Sequence, residues 1–170
     1  ASGAFAVPSG KRNLNISGKD FIREENSKKG TRDWRLSNTK TVPGKINRIL
    51  DNGRSKAIEG YCNANSLRAG EKLKIMVSAN PSSAFKLDIF RTGYYGGTGA
   101  RLMKSFNSIM AGTQPDPPIG ENYVRECQWE PTVELEIPKT WPSGVYLGKM
   151  TAERSGIQSY VIFIVRDDRP

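Results

Sequence analysis

The sequence predicts an all-β protein: an immunoglobulin-like antiparallel β-sandwich that follows a basic N-terminal extension. Three observations support this prediction. Seven strand-like segments recur at short intervals after Ile58, with turn residues between them. No segment has a convincing helical period. Tyr146 stands at the start of the penultimate predicted strand, where sandwiches of this class carry a corner tyrosine.

Residues 1–56 are predicted to be an extension that packs on the sandwich, because they contain few apolar residues and no sustained period. We expect short strands or irregular structure there. The chain carries a formal charge of +9, and residues 1–60 hold 13 Lys and Arg against 6 Asp and Glu. Such a segment suits an anionic partner, which includes acidic polysaccharide, nucleic acid, an anionic membrane or an acidic protein face. A solvated arm is the alternative.

Residues 57–170 are predicted to form the sandwich. Lys72–Ala79 illustrates the pattern, since Leu73, Ile75 and Val77 alternate with more polar neighbours as in a half-buried strand. A long connection, residues 107–123, contains three prolines, and a loop of that length is usually functional or mobile. The predicted strands are Ile58–Asn63, Lys72–Ala79, Phe85–Arg91, Ala100–Phe106, Trp129–Ile137, Val145–Thr151 and Gln158–Val165.

The last predicted strand differs from the others because Tyr160–Val165 is apolar without alternation. A sandwich strand ordinarily offers one face to water, so this pattern indicates cover on both faces. Either the extension or another domain supplies that cover.

A glycine-rich stretch, FRTGYYGGTGARL at Phe90–Leu102, follows the third predicted strand. It is predicted to be a strand, a glycine-built turn and a return strand that begins near Ala100. The tyrosines either pack along this corner or present their rings to a partner. The binding hypothesis assigns an anionic, acidic or sulfated polysaccharide to rings that stack on sugars and guanidinium groups that pair with anions. Its candidate residues are Arg91, Tyr94, Tyr95 and Arg101, with Trp34 and Arg35 from the extension.

Trp34 has a second interpretation, in which it anchors the extension to the core. The two cysteines, Cys62 and Cys127, allow one disulfide or two free thiols. The chain contains no histidine, which excludes Ser-His-Asp and Cys-His nucleophiles and His-ligated zinc sites. We therefore predict no catalytic residue, metal or cofactor. No membrane span is predicted, nucleic acid is the weaker partner, and a secreted or periplasmic location is favoured.

Several motifs in order resemble the sandwich region of proteins similar to the large (beta) subunit of N,N-dimethylformamidase. They are IEGYCN with LRAGEKLKI, FRTGYYGGTGARL, ECQWEP, and WPSGVYLGKMT with QSYVIFIVRDD. The resemblance covers about residues 56–169. It implies that a larger domain with an iron-dependent amidohydrolase site follows the sandwich. None of that site's residues is matched here, so the resemblance makes docking on a downstream catalytic domain the alternative function.

Overall fold

The computed structural model describes residues 18–41 and 54–168, in which eight strands form two sheets. The helical segments there are one α-helix, α1 (Gly18–Ser27), and two short 3₁₀ turns, Tyr95–Gly97 and Glu121–Tyr123. No helix within these residues is long and apolar enough to cross a membrane. The strands are β1 (Glu59–Cys62), β2 (Ser66–Arg68), β3 (Lys72–Ser78), β4 (Ser83–Thr92), β5 (Ala100–Ala111), β6 (Val133–Glu136), β7 (Gly144–Ala152) and β8 (Gln158–Arg166).

The two sheets confirm the predicted all-β sandwich. One sheet has the order β1-β3-β6, and the other has the order β2-β8-β7-β4-β5. All pairs are antiparallel except β2 with β8. In a constant-type immunoglobulin domain, the sheet that corresponds to β1-β3-β6 has a fourth strand. In the part of the chain described here no such strand is present, and the connection between β5 and β6 takes its place in sequence.

The core lies between the sheets and is built from the alternating residues of each strand. Leu73, Ile75 and Val77 from β3 are fully buried, and so are Leu87 and Ile89 from β4. Burying such side chains contributes roughly 1.5–3 kcal/mol each. The alternation of apolar residues in the sequence, with a period of two, therefore predicts correctly which residues of these strands face the core.

The predicted tyrosine corner is present. Tyr146 is fully buried, and its hydroxyl donates a 2.6 Å hydrogen bond to the carbonyl oxygen of Pro142. Its ring stacks between Trp141 at 5.0 Å and Phe163 at 5.3 Å. Burial raises the pKa of the Tyr146 hydroxyl. This contact fixes the turn that leads into β7.

Three elements differ from the expectations. α1 replaces part of the short strands or irregular structure expected in the extension, and its position depends on contacts far away in sequence. β2 is absent from the predicted strands, since only three residues pair with β8, and of these Leu67 enters the core. β5 continues to Ala111, beyond a bulge at which Ser108 has a positive φ of 52° and the alternation breaks.

Cys62 and Cys127 are both free thiols, and both are half-buried. Burial raises the pKa of the Cys62 thiol to about 12. Burial also raises the pKa of the Cys127 thiol. The second of the two sequence alternatives, free cysteines, is therefore the one observed. The proposed boundary at residue 56 stays a prediction, since residues 42–53 lie outside the described ranges.

Candidate functional site

The glycine corner joins β4 to β5 as predicted. Gly96, Gly97 and Gly99 have φ values of 64°, 81° and 93°, which favour glycine. The backbone N–H of Gly93 donates to the carbonyl oxygen of Gly99 at 3.0 Å and closes the corner. The return strand begins at Ala100.

The two adjacent tyrosines at this corner have opposite environments. The Tyr94 side chain is 71% exposed, whereas Tyr95 is only 2% exposed. The Tyr95 hydroxyl accepts a 2.8 Å hydrogen bond from Arg91 and donates a 2.9 Å hydrogen bond to Glu25 of α1. Burial is the main reason that the pKa of Tyr95 is raised. Tyr95 therefore belongs to the interior, and Tyr94 faces solvent.

Glu25 is the centre of a buried polar network that ties α1 to the corner. It is 2% exposed, and one of its oxygens accepts hydrogen bonds from Arg101 Nη2 at 2.6 Å and Nε at 2.7 Å. Its other oxygen lies 2.8 Å from Lys28 Nζ. Burial alone would raise the pKa of Glu25, but hydrogen bonds from Lys28, Arg101 and Tyr95 outweigh it and hold the pKa below its usual value.

Glu25 is not among the residues that the sequence pattern predicted to be functional. The only local signal is Lys28, three residues further along the helix, because Arg101 lies 76 residues away. Pairing over that distance follows from the tertiary fold alone.

Trp34 and Arg35 lie beside the same corner. The Trp34 indole N–H donates to the carbonyl oxygen of Thr98 at 3.0 Å. The ring covers Gly99 so closely that an added Cβ there would lie 3.1 Å from it. The exposed Arg35 guanidinium lies 5.7 Å from the centre of the Trp34 ring. The corner and the arm, residues 18–41, are thus in direct contact.

The six predicted binding residues lie in one region, but their side chains are not equally available to a ligand. Four of them, Arg91, Tyr95, Arg101 and Trp34, use polar groups on internal partners. Tyr94 and Arg35 keep exposed side chains. Ligand binding at this corner stays a prediction.

The arm continues over the outer face of β7 and β8. Lys149 Nζ donates to the carbonyl oxygens of Asp33 and Arg35, both at 2.8 Å. The Tyr160 hydroxyl donates to the carbonyl oxygen of Trp34. Lys149 and Tyr160 are cross-strand partners, so this part of the sheet is covered by backbone of the arm. Burial lowers the pKa of Lys149.

The remainder of that face is exposed. Val161, Phe163 and Val165 point into the core, whereas Ile162 and Ile164 between them are 57% and 42% exposed. Val145, which is paired with Ile164 across the sheet, is 41% exposed. Val145, Ile162 and Ile164 form what we call the outer apolar patch. The apolar run Tyr160–Val165 predicted cover on this face, whereas nothing in the sequence pattern indicated that Val145 belongs to it.

These features define a class of protein, a β-sandwich module with an exposed apolar patch on one sheet. Its arm is held to the glycine corner by the polar network around Glu25, which we call the latch. The family can be stated as well. The chain belongs to the N,N-dimethylformamidase beta subunit-like family, whose C-terminal model matches residues 86–170. The match begins in β4, so it includes the corner and the patch and excludes the arm and β1 to β3. No curated protein matches the chain. Within the described ranges, no three His, Cys, Asp or Glu residues are grouped as a metal site.

Proposed function

We propose that this chain is a non-catalytic sandwich module that docks on the catalytic domain of an N,N-dimethylformamidase-like amidohydrolase. The observation that supports this proposal is the outer apolar patch, where three branched aliphatic side chains lie together on a face that the arm otherwise covers. The patch lies within the residues that the family model matches.

The patch has the chemistry of a docking surface. Its members are held on regular strands, so little side-chain or backbone freedom is lost when a partner covers them. Each is about half exposed, and burying the remainder would contribute on the order of 1 kcal/mol per side chain. Polar groups border the patch, among them Thr92 and Arg166. A small apolar centre with a polar border is the usual anatomy of a protein interface.

A binding experiment tests the proposal. The chain is titrated by calorimetry with a separately expressed catalytic domain of an N,N-dimethylformamidase-like beta subunit. We expect saturable binding by the native chain. Ile162→Ser/Ile164→Ser should weaken it by about tenfold or more, because it removes two apolar anchors.

The matched control is Met110→Ser/Tyr123→Ser, which changes two exposed apolar side chains outside the patch. It should bind as the native chain does. Equal binding by the patch variant and the native chain would contradict the proposal, and so would a complete lack of binding by the native chain.

A second candidate function is binding of an anionic polysaccharide at the glycine corner. The observations in its favour are the exposed Tyr94 ring at the corner and the exposed Arg35 guanidinium, which lies 5.7 Å from the centre of the Trp34 ring. An exposed aromatic ring can stack on a sugar, and an arginine can pair with a sulfate or carboxylate.

Titration with dextran sulfate and with neutral dextran at two salt concentrations tests this candidate. We expect binding to dextran sulfate alone, weaker at the higher salt concentration and reduced by Tyr94→Ala/Arg35→Gln. Binding that is unchanged in this double variant would reject the corner as the site.

A further inference from the structure

A second surface feature lies away from the corner, where the long connection between β5 and β6 returns past β1. The two segments line an open cavity of about 320 Å³, a size at the lower end of small-molecule sites. The residues that matter for its chemistry are Arg54, Glu59, Tyr61, Pro117, Arg125 and Trp129. The long connection was expected to be functional or mobile, and this cavity gives it a specific use.

The aromatic wall of the cavity is held in place by hydrogen bonds. The Tyr61 hydroxyl donates to the carbonyl oxygen of Cys127 at 3.0 Å and accepts from the backbone N–H of Trp129 at 2.9 Å. The Trp129 indole N–H donates to the carbonyl oxygen of Pro115 at 2.8 Å. The two rings lie 5.5 Å apart. The wall is therefore formed before any ligand arrives, which lowers the cost of binding.

Of the two arginines that line the cavity, Arg54 has carboxylate partners, whereas Arg125 has none among the described residues. Arg54 donates to both oxygens of Glu59, at 2.6 and 3.0 Å, and to Asp116 at 2.6 Å. Arg125 donates to the carbonyl oxygen of Pro117 at 2.7 Å. Within residues 18–41 and 54–168, Arg125 makes no other hydrogen bond and no ion pair, so donors of its planar fork remain for a ligand.

We infer that this cavity binds a small planar carboxylate, with the apolar body against Tyr61 and Trp129 and the carboxylate on Arg125. A guanidinium held by one backbone carbonyl is oriented in advance, and arginine matches a carboxylate through two parallel hydrogen bonds. The site uses β1 and the long connection. It shares no residue with the outer apolar patch, so it is independent of the docking function.

Benzoate and benzamide are the probes, because they have nearly the same shape and differ in charge. Binding to the 170-residue chain is followed by the NMR signal of the Trp129 indole N–H. We expect benzoate to bind about tenfold or more tightly than benzamide, which is the usual scale of a charge-assisted hydrogen bond. In Arg125→Gln this preference should disappear, and Arg125→Lys should restore part of it.

The control is Arg154→Gln, which removes an exposed arginine that does not line the cavity and should leave the benzoate preference unchanged. Arg125 is half-buried, and its substitution should leave the thermal unfolding midpoint near that of the native chain. Three results would overturn the inference: no saturable binding at about 10 mM benzoate, a preference that survives Arg125→Gln, or signal changes that spare Trp129.

Discussion

The outer face of β7 and β8 has two regions that belong to the same strands. One is covered by the arm, and the other is exposed to solvent. At one end, Lys149 and Tyr160 donate to carbonyl oxygens of the arm, so polar groups of both partners are satisfied. At the other end, Val145 and Ile164 lie paired across the sheet with much of their apolar surface in water.

The difference shows a limit of the sequence pattern. An apolar strand without alternation predicts that both of its faces are buried, but it does not indicate which element covers the outer face. In the covered region, side chains of the sheet form hydrogen bonds with the backbone of the arm, which precedes the sandwich in sequence. The three side chains of the outer apolar patch carry no hydrogen-bonding group, so a partner with an apolar surface is needed to cover them. The arm is therefore part of the module, and the outer apolar patch is where we propose that a further domain binds.

The largest expected effect concerns the latch that holds the arm. Glu25→Ala removes the carboxylate that compensates Arg101 and accepts from Tyr95. Breaking a buried pair from one side costs about 3 kcal/mol or more. We expect a loss of this size in the free energy of unfolding, measured in urea. Glu24→Ala, which removes the same charge from the exposed side of α1, should change it by less than about 0.5 kcal/mol. Equal losses in the two variants would contradict the latch.

A smaller effect is expected at the covered region. Lys149→Met leaves the carbonyl oxygens of Asp33 and Arg35 without their donor, while it relieves the cost of burying a charge. The net loss in unfolding free energy should be about 1 kcal/mol. Hydrogen exchange of residues 31–38 should become faster. Lys72→Met, at an exposed position of β3, is the control and should leave that exchange unchanged.

Acid should weaken the latch before it affects the patch. The pKa of Glu25 is lower in the folded protein than its usual value of 4.5, so its contribution to stability is complete above that value. The contribution is lost as the pH falls through the folded-state pKa. The stability difference between the native chain and Glu25→Gln should therefore be largest near neutral pH and shrink in acid. A difference that does not change with pH would show that Glu25 is not ionised in the fold.

The smallest expected effect per substituted side chain is at the patch itself. Ile162→Ser/Ile164→Ser changes side chains that are already about half exposed in the isolated chain. Its unfolding free energy should fall by no more than about 1 kcal/mol for each side chain, the contribution of the half that is already buried. A much larger loss would mean that these side chains are already covered within the chain, which would remove the reason to expect a partner there.

The strands and the tyrosine corner were predictable because they depend on local pattern. Alternation in β3 and β4 places the correct faces inward, and Tyr146 follows its turn at the expected distance. The latch was not predictable, because Glu25 and Arg101 meet only in the folded protein. Tyr94 and Tyr95 are adjacent in sequence, and which ring is buried depends on the backbone of the corner, where Tyr95 has a φ of 40°, and on the contact with Glu25.

The most direct test of docking is hydroxyl-radical footprinting of the native chain, alone and with the separately expressed catalytic domain. We expect oxidation of Ile162 and Ile164 to fall sharply when the catalytic domain is added, while oxidation of the exposed Tyr123 stays the same. Unchanged oxidation of both isoleucines in a mixture that has formed a complex would contradict the account.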